Sequence, residues 1–204
     1  MHDGLAASAL EIWRGDRCLA TDLSFAASPG SIIRIAGHNG SGKTTLLRAL
    51  CGLTLTESGK IHWRNQDIFE NLDAYHAALA WQGHRDGLKP ELDVRENLAV
   101  SCGVRGISSD NVDQALGDSG LLDLADLPAR SLSAGQKRRV ALTRVFMSGL
   151  PLWILDEPFA NLDQQGQAWG IEKMRGHAAA GGICILSTHL SFDETDVVTV
   201  QMGT

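Results

Sequence analysis

Gly37-His38-Asn39-Gly40-Ser41-Gly42-Lys43-Thr44 is the stretch on which the reading of this chain turns. It fits the pattern G-x-x-x-x-G-K-[ST], the Walker A phosphate loop. Glycine is required because the backbone must wrap a phosphate with its N–H groups pointing inward, through dihedrals that a Cβ resists. Lys43 would reach the β- and γ-phosphates, and the Thr44 hydroxyl would ligate Mg²⁺. A plain glycine-rich turn with a surface lysine is the bland alternative, and the flanks argue against it. Ser31-Ile32-Ile33-Arg34-Ile35-Ala36 before the loop is β-branched and nearly continuous, a buried strand. Thr44 to Leu50 after it has helical composition and would set a positive helix end on the anion.

Further along, Glu57-Ser58-Gly59 gives a turn signal and Lys60-Ile61-His62-Trp63 alternates, so a short hairpin is expected within 53–68. Ala77-Ala78-Leu79-Ala80-Trp81 reads as another buried strand. Residues 90–148 change character: Leu92, Val94, Leu98, Val112, Leu116, Leu121, Leu122 and Leu124 suggest short helices with loops between them. Strand patterns return at Leu152-Trp153-Ile154-Leu155 and Ile183-Cys184-Ile185-Leu186. Strands flanking a helical insert, with helices between strands, predict a mostly parallel sheet with crossover connections, an α/β core.

The first of those returning strands runs into Asp156-Glu157. A buried strand ending in Asp is the Walker B geometry, in which Asp156 holds the Mg²⁺ shell at the carboxyl edge of the sheet. Glu157, one residue on, is placed to polarise an attacking water, and Pro158 ends the strand.

Composition bounds what else the chain does. Its 204 residues are room for one domain, or one with a subdomain. With 18 Lys and Arg against 24 Asp and Glu, a net charge of −6, it is not expected to bind a phosphate backbone non-specifically, so no nucleic acid is expected as partner. The longest useful apolar run, Val145 to Leu155, is broken by Ser148, Gly149 and Pro151 and falls short of the roughly 18–20 residues of a bilayer span. The chain is expected to be soluble by itself. Met1-His2-Asp3-Gly4 lacks the basic start of a signal peptide. Cys18, Cys51, Cys102 and Cys184 are scattered and expected to be reduced and mostly buried, and no Cys/His spacing suggests zinc.

Leu132-Ser133-Ala134-Gly135-Gln136 resembles the L-S-G-G-Q signature of the ATP-binding cassette (ABC) ATPases. Ser133 is a good N-cap, Ala134 and Gly135 keep the backbone approachable, and the helix that follows carries Lys137, Arg138 and Arg139. Asn161-Leu162-Asp163 resembles the family's D-loop, and His189 in Ser187-Thr188-His189 its switch histidine. The order of motifs matches and the resemblance covers essentially the whole chain. It implies a P-loop ATPase fold with a RecA-like, mostly parallel sheet core, an N-terminal antiparallel β part and an α-helical signature subdomain, about 87–148, inserted in one ABC domain spanning 1–204.

Two elements depart from the family pattern. Counting back from Val94-Arg95-Glu96-Asn97-Leu98 puts His84 where a metal-contacting glutamine is usual, with Gln82 two residues earlier, so either is the candidate. Trp13 is the nearest candidate to stack on adenine, but Arg14 fits the register equally well. Gln82-Gly83-His84-Arg85-Asp86-Gly87-Leu88-Lys89-Pro90-Glu91-Leu92, together with Trp153 and the short length, is similar to the ATP-binding subunits of cytochrome c maturation haem exporters.

That resemblance implies an ATP hydrolase on the cytoplasmic face of the bacterial inner membrane, a peripheral subunit of integral membrane permease partners. Its work would be haem export or release of a haem-loaded chaperone. An exporter of lipid or drug shares the same site chemistry; a soluble ABC ATPase acting on DNA or ribosomes is disfavoured by the single cassette and the acidic balance. The resemblance also implies two ATP molecules between two head-to-tail copies. Each would be held by Gly37 to Thr45 of one copy and by Leu132 to Gln136 of the other. Glu157 would polarise water, His189 orient it, and Lys43 with Mg²⁺ stabilise charge.

Overall fold

A computed structural model describes residues 3–203 except 105, 107 and 193–196. It divides into two compact units, Met1–Trp81 with Leu150–Glu157 and Arg175–Thr204, and Gln82–Gly149 with Pro158–Met174.

The first unit holds the strands that the apolar runs foretell. β3 (Ile32–Ala36), β7 (Leu152–Asp156) and β8 (Ile183–Ser187) pair in parallel, with β9 (Val198–Gln201) parallel to β3 on its other side. The five-stranded order is β6-β7-β8-β3-β9, where β6 is Leu79–Gln82. Every residue of β7 and β8 is buried, which is why they read as continuous apolar runs rather than alternating ones. Helix α1 (Lys43–Leu50) buries Lys43, Leu46, Leu47 and Leu50, an i, i+3, i+4, i+7 face. Fully burying each of those leucines is worth about 1.5–3 kcal/mol.

A second, antiparallel sheet has the order β2-β1-β4-β5, built from β1 (Leu5–Arg14), β2 (Arg17–Ala27), β4 (Ser58–Trp63) and β5 (Gln66–Asp67). The expected hairpin in 53–68 is there, but Ser58 and Gly59 begin the strand instead of turning it. The turn is Arg64-Asn65, at φ 51° and 65° between the paired Trp63 and Gln66. Two successive positive φ values match the right-handed twist of the flanking strands.

The strand expected at 77–81 is also shifted. Helix α2 (Leu72–Ala77) takes Ala77, capped by the Asn71 side chain accepting from the Ala74 N–H, and β6 starts only at Leu79.

In the second unit, α3 (Val94–Val104), α4 (Val112–Asp118) and α5 (Ala134–Phe146) pack Val94, Leu98, Val112, Leu116 and Val140 into one apolar core. Helix α6 (Gln164–Ala179) follows β7 and spans both units. Among the described residues no helix is long and apolar enough to cross a membrane. All four cysteines are free; Cys51, Cys102 and Cys184 are buried and Cys18 is exposed.

Candidate functional site

The loop between β3 and α1 is shaped by what glycine permits. Gly37 sits at φ 149°, and a Cβ there would lie 2.5 Å from Ser41 Oγ and 2.7 Å from the Met202 carbonyl. Ser41 Oγ is buried without a hydrogen-bond partner among the described residues, a polar group inside a cradle with no protein acceptor of its own. Lys43, only 8% exposed, folds its ammonium back over the loop and donates to the Gly37 and His38 carbonyls at 2.8 and 3.2 Å. Asn39 and Gly40 lie at the exposed crest of the loop, and Gly42 is the N-cap of α1. An orphaned hydroxyl, a lysine and a helix N-terminus around a backbone with no room for a Cβ at Gly37 suit a phosphate group.

The strand ends β7 and β8 supply the acids and their supports. Thr44, on the first turn of α1, donates from its hydroxyl to Asp156 Oδ2 at 2.8 Å, and Ser187 donates to Asp156 Oδ1 at 2.6 Å. Asp156 is 2% exposed, so its charge rests on these hydroxyls. The hydroxyl–carboxylate pair Thr44 and Asp156 suits a cation that keeps several waters and leans on one or two carboxylates plus substrate phosphates, as Mg²⁺ does. Among the described residues there is no cluster of three or more His, Cys, Asp or Glu.

Glu157 leaves the strand at φ 48°, a left-handed conformation that costs a non-glycine residue about 1–3 kcal/mol. Its N–H donates to both the carbonyl and the hydroxyl of Ser187, at 3.1 and 2.9 Å, which holds that turn. The turn aims the Glu157 carboxylate at His189, whose Nε2 lies 3.4 Å from Oε1. Trp13, at the end of β1, is 40% exposed, its indole N–H donating to Glu11 at 2.9 Å. The structure therefore groups Lys43, Thr44, Asp156, Glu157 and His189 in the first unit.

Leu132 to Gln136 and Asn161 to Asp163 lie in the second. Ser133 caps α5 through a reciprocal box: its hydroxyl accepts from the Gln136 N–H, and its own N–H donates to the Gln136 side chain. A Cβ on Gly135 would stand 2.6 Å from the Asn161 carbonyl, so the signature glycine is where the two segments meet. Asp163 caps α6 by accepting from the Gly166 N–H at 2.7 Å and also accepts from Arg139 at 3.0 Å. Leu121, Ser133, Gly135, Arg139, Asn161 and Asp163 line part of a pocket of about 340 Å³. Arg138 and Arg139 on the same helix reach the 83–86 loop and Asp163 respectively.

Gln82 is fully buried, its amide spent on Gly83, Arg85 and Arg144, whereas His84 is exposed.

The ABC transporter family model matches residues 20–160, more than half of the chain. The chain belongs to the ABC transporter family. Members that carry this ATP-binding domain hydrolyse ATP, and this ABC chain is an ATP hydrolase. It is similar to the "Cytochrome c biogenesis ATP-binding export protein CcmA" of Methylococcus capsulatus, 44% identical over 93% of this chain and 92% of that protein. The protein of the same name from Yersinia pestis is 45% identical over 91% of this chain and 85% of its own length. In fold the chain superimposes on the "Structure of ATP binding subunit of ABC transporter" with a TM-score of 0.85 at 24% identity, covering 98% of this chain and 89% of that one.

Within this ABC domain the motif reading passes over Ser187 as a bridging group, and Arg138, Arg139 and Arg144 as ties. Ser187 had a signal: it closes an apolar five-residue strand as Asp156 closes its neighbour, and the two are register partners. The arginines had none, because their partners lie 20 to 62 residues away.

Proposed function

We propose that this ABC chain is the ATP-hydrolysing subunit of an exporter that serves cytochrome c biogenesis, moving haem or releasing a haem-loaded chaperone. The observation that carries the reading is the likeness to CcmA proteins, 44% identity spread over nearly the full length of both chains. The site chemistry supplies the rest. Gly37 to Thr45 cradle the phosphates of ATP, and Lys43 turns from the loop carbonyls toward the γ-phosphate. Thr44 and Asp156 would hold Mg²⁺, which would supply charge neutralisation to the phosphates of the nucleotide. Glu157 accepts the proton of the attacking water, and His189, 3.4 Å from it, orients that water. Of the two candidates at and just after the end of β6, exposed His84 takes the metal- and water-facing role, because Gln82 is fully buried with both amide hydrogens and its oxygen engaged by the loop and Arg144. Trp13 offers adenine a half-exposed ring.

The signature residues Leu132 to Gln136 and the D-loop Asn161 to Asp163 act on ATP held by a second copy, in a head-to-tail pair. ATP then acts as the bridge between copies, and hydrolysis releases it. The subunit works at the cytoplasmic face of the bacterial inner membrane against integral membrane partners. Their docking surface is the helical insert and the 82–92 loop, where Arg85, Leu88, Pro90, Ala129, Arg130 and Lys137 line part of a groove of about 420 Å³. Charge reversal at Arg85 and Lys89 then spares the ATPase of the free chain and uncouples it in the membrane complex.

The test of the cellular role is replacement of the chain, in the bacterium that encodes it, by the Glu157→Gln variant. Loss of covalently haem-stained c-type cytochromes is expected; unchanged cytochromes at normal expression would overturn the assignment.

A further inference from the structure

The loop from Gly83 to Gly87 has no regular secondary structure beyond its junction with β6, yet all five of its carbonyl oxygens are taken. Gln82 Nε2 donates to the Gly83 and Arg85 carbonyls at 2.9 and 3.1 Å. Arg138 donates to the Gly83 and His84 carbonyls at 3.2 and 2.9 Å and pairs with the Asp86 carboxylate at 3.3 Å. Arg144 donates to the Asp86 and Gly87 carbonyls at 2.9 and 3.2 Å, and to Gln82 Oε1 at 3.0 Å, closing the ring of contacts. Arg138 is 3% exposed and Gln82 fully buried, so the bonds these two make are largely shielded from water. Both arginines lie on α5, the helix that Ser133 caps, and every partner belongs to the same compact unit.

A loop is normally held by its own backbone or by solvent. Here a buried glutamine and two guanidinium forks hold five consecutive carbonyls in one arrangement and leave the His84 side chain outside. A planar guanidinium with five donors reaches these acceptors in a fixed fork, a geometry that the compact ammonium on a flexible lysine stem does not reproduce.

We propose that Arg138 and Arg144 are positioning residues that bind the 83–87 loop to the signature helix as one body. They fix where His84 stands, and they make any displacement of the loop a displacement of Ser133 to Gln136. The proposal goes beyond the assignment of His84 and rests on the ATPase activity of the chain.

The experiment compares full-length wild type with Arg138→Lys, Arg144→Lys and the double variant, and uses Lys60→Met, an exposed residue on β4 in the other unit, as control. Hydrogen exchange of the 83–88 amides, affinity for a fluorescent ATP analogue in the monomer, and kcat and KM for ATP are read on the same samples. Exchange in 83–88 is expected to speed up at least tenfold in the double variant. kcat is expected to fall several-fold while monomer nucleotide affinity stays within twofold, because the residues of the phosphate loop belong to the other unit. Lys60→Met should match wild type. Unchanged exchange would overturn the tie, and faster exchange with unchanged kcat would overturn its role in turnover. A wild-type sample that fails to hydrolyse ATP would instead overturn the enzymatic reading, with the exchange data still deciding whether the two arginines hold the loop.

Discussion

The Ser187 hydroxyl donates to Asp156 Oδ1 at 2.6 Å, and the two residues are register partners at the ends of β8 and β7. The same oxygen accepts from the Glu157 N–H, so one hydroxyl holds the buried acid and the strained turn that carries its neighbour. Ser187→Ala leaves a carboxylate that is 2% exposed one donor short, at a cost of about 1–3 kcal/mol. ATP turnover should fall further than ATP affinity, because the Glu157 turn loosens while the phosphate loop is untouched. Steady-state phosphate release beside urea melts checks this, and a wild-type kcat would remove Ser187 from the site.

Gly37→Ala should act on affinity instead. At φ 149° an added methyl has no relaxed position, with Ser41 Oγ at 2.5 Å and the Met202 carbonyl at 2.7 Å. The backbone strain alone is about 1–3 kcal/mol. Weaker binding of a fluorescent ATP analogue is expected, at near-normal circular dichroism.

Gly135→Ala should leave that binding intact. Its methyl would meet the Asn161 carbonyl at 2.6 Å and push apart the signature and the segment after β7. Turnover is expected to drop by on the order of 10²-fold, the usual penalty of a misplacement near 1 Å. Ala134→Gly, one residue earlier, is the control and should keep activity.

Burial gives stability a pH slope through His177. Its ring stacks on Trp153 at 3.7 Å and 4°, and burial pushes its pKa below 6.5, with the Ile183 and Pro151 backbone partly opposing. The unfolded chain therefore binds this proton more readily than the folded one. Stability is full above the ordinary histidine pKa and declines as pH falls through it toward the folded value. His177→Phe keeps a ring on Trp153 and should flatten the change in urea midpoint between about pH 7 and about pH 5. Identical slopes in the two proteins would place the titrating group elsewhere.

How legible each part was in the sequence follows from how local its cause is. Ile32–Ala36, Leu152–Asp156 and Ile183–Ser187 are covered on both faces, and only uninterrupted apolar residues serve there, so they are plain to read. The β1–β2 hairpin is not plain from its residues. Register shifts after Ala7, Leu10 and Ile12 break its period-two pattern, and only the family resemblance supplied an antiparallel sheet. Helix α6 carries Gly166, Gly170 and Gly176 and sparse apolar positions, so packing rather than propensity makes it helical. Helix α2, only six residues long, hides against the apolar run that becomes β6.

The site divides along the same line. Contiguous motifs such as 37–44 can be read because one turn of chain makes the cradle. Which of Gln82 and His84 faces outward depends on Arg144, 62 residues from Gln82, and no spacing reveals that.

The most direct test of the central claim, an ATPase whose site is completed by a second copy, is the mass of the Glu157→Gln variant in solution with and without ATP. Removing the base should cut phosphate release by at least about 10²-fold while sparing binding. Light scattering should then show a monomer without nucleotide and a stable species of twice the mass with ATP. A variant that hydrolyses ATP at the wild-type rate, or that binds ATP and stays monomeric at saturation, would contradict it.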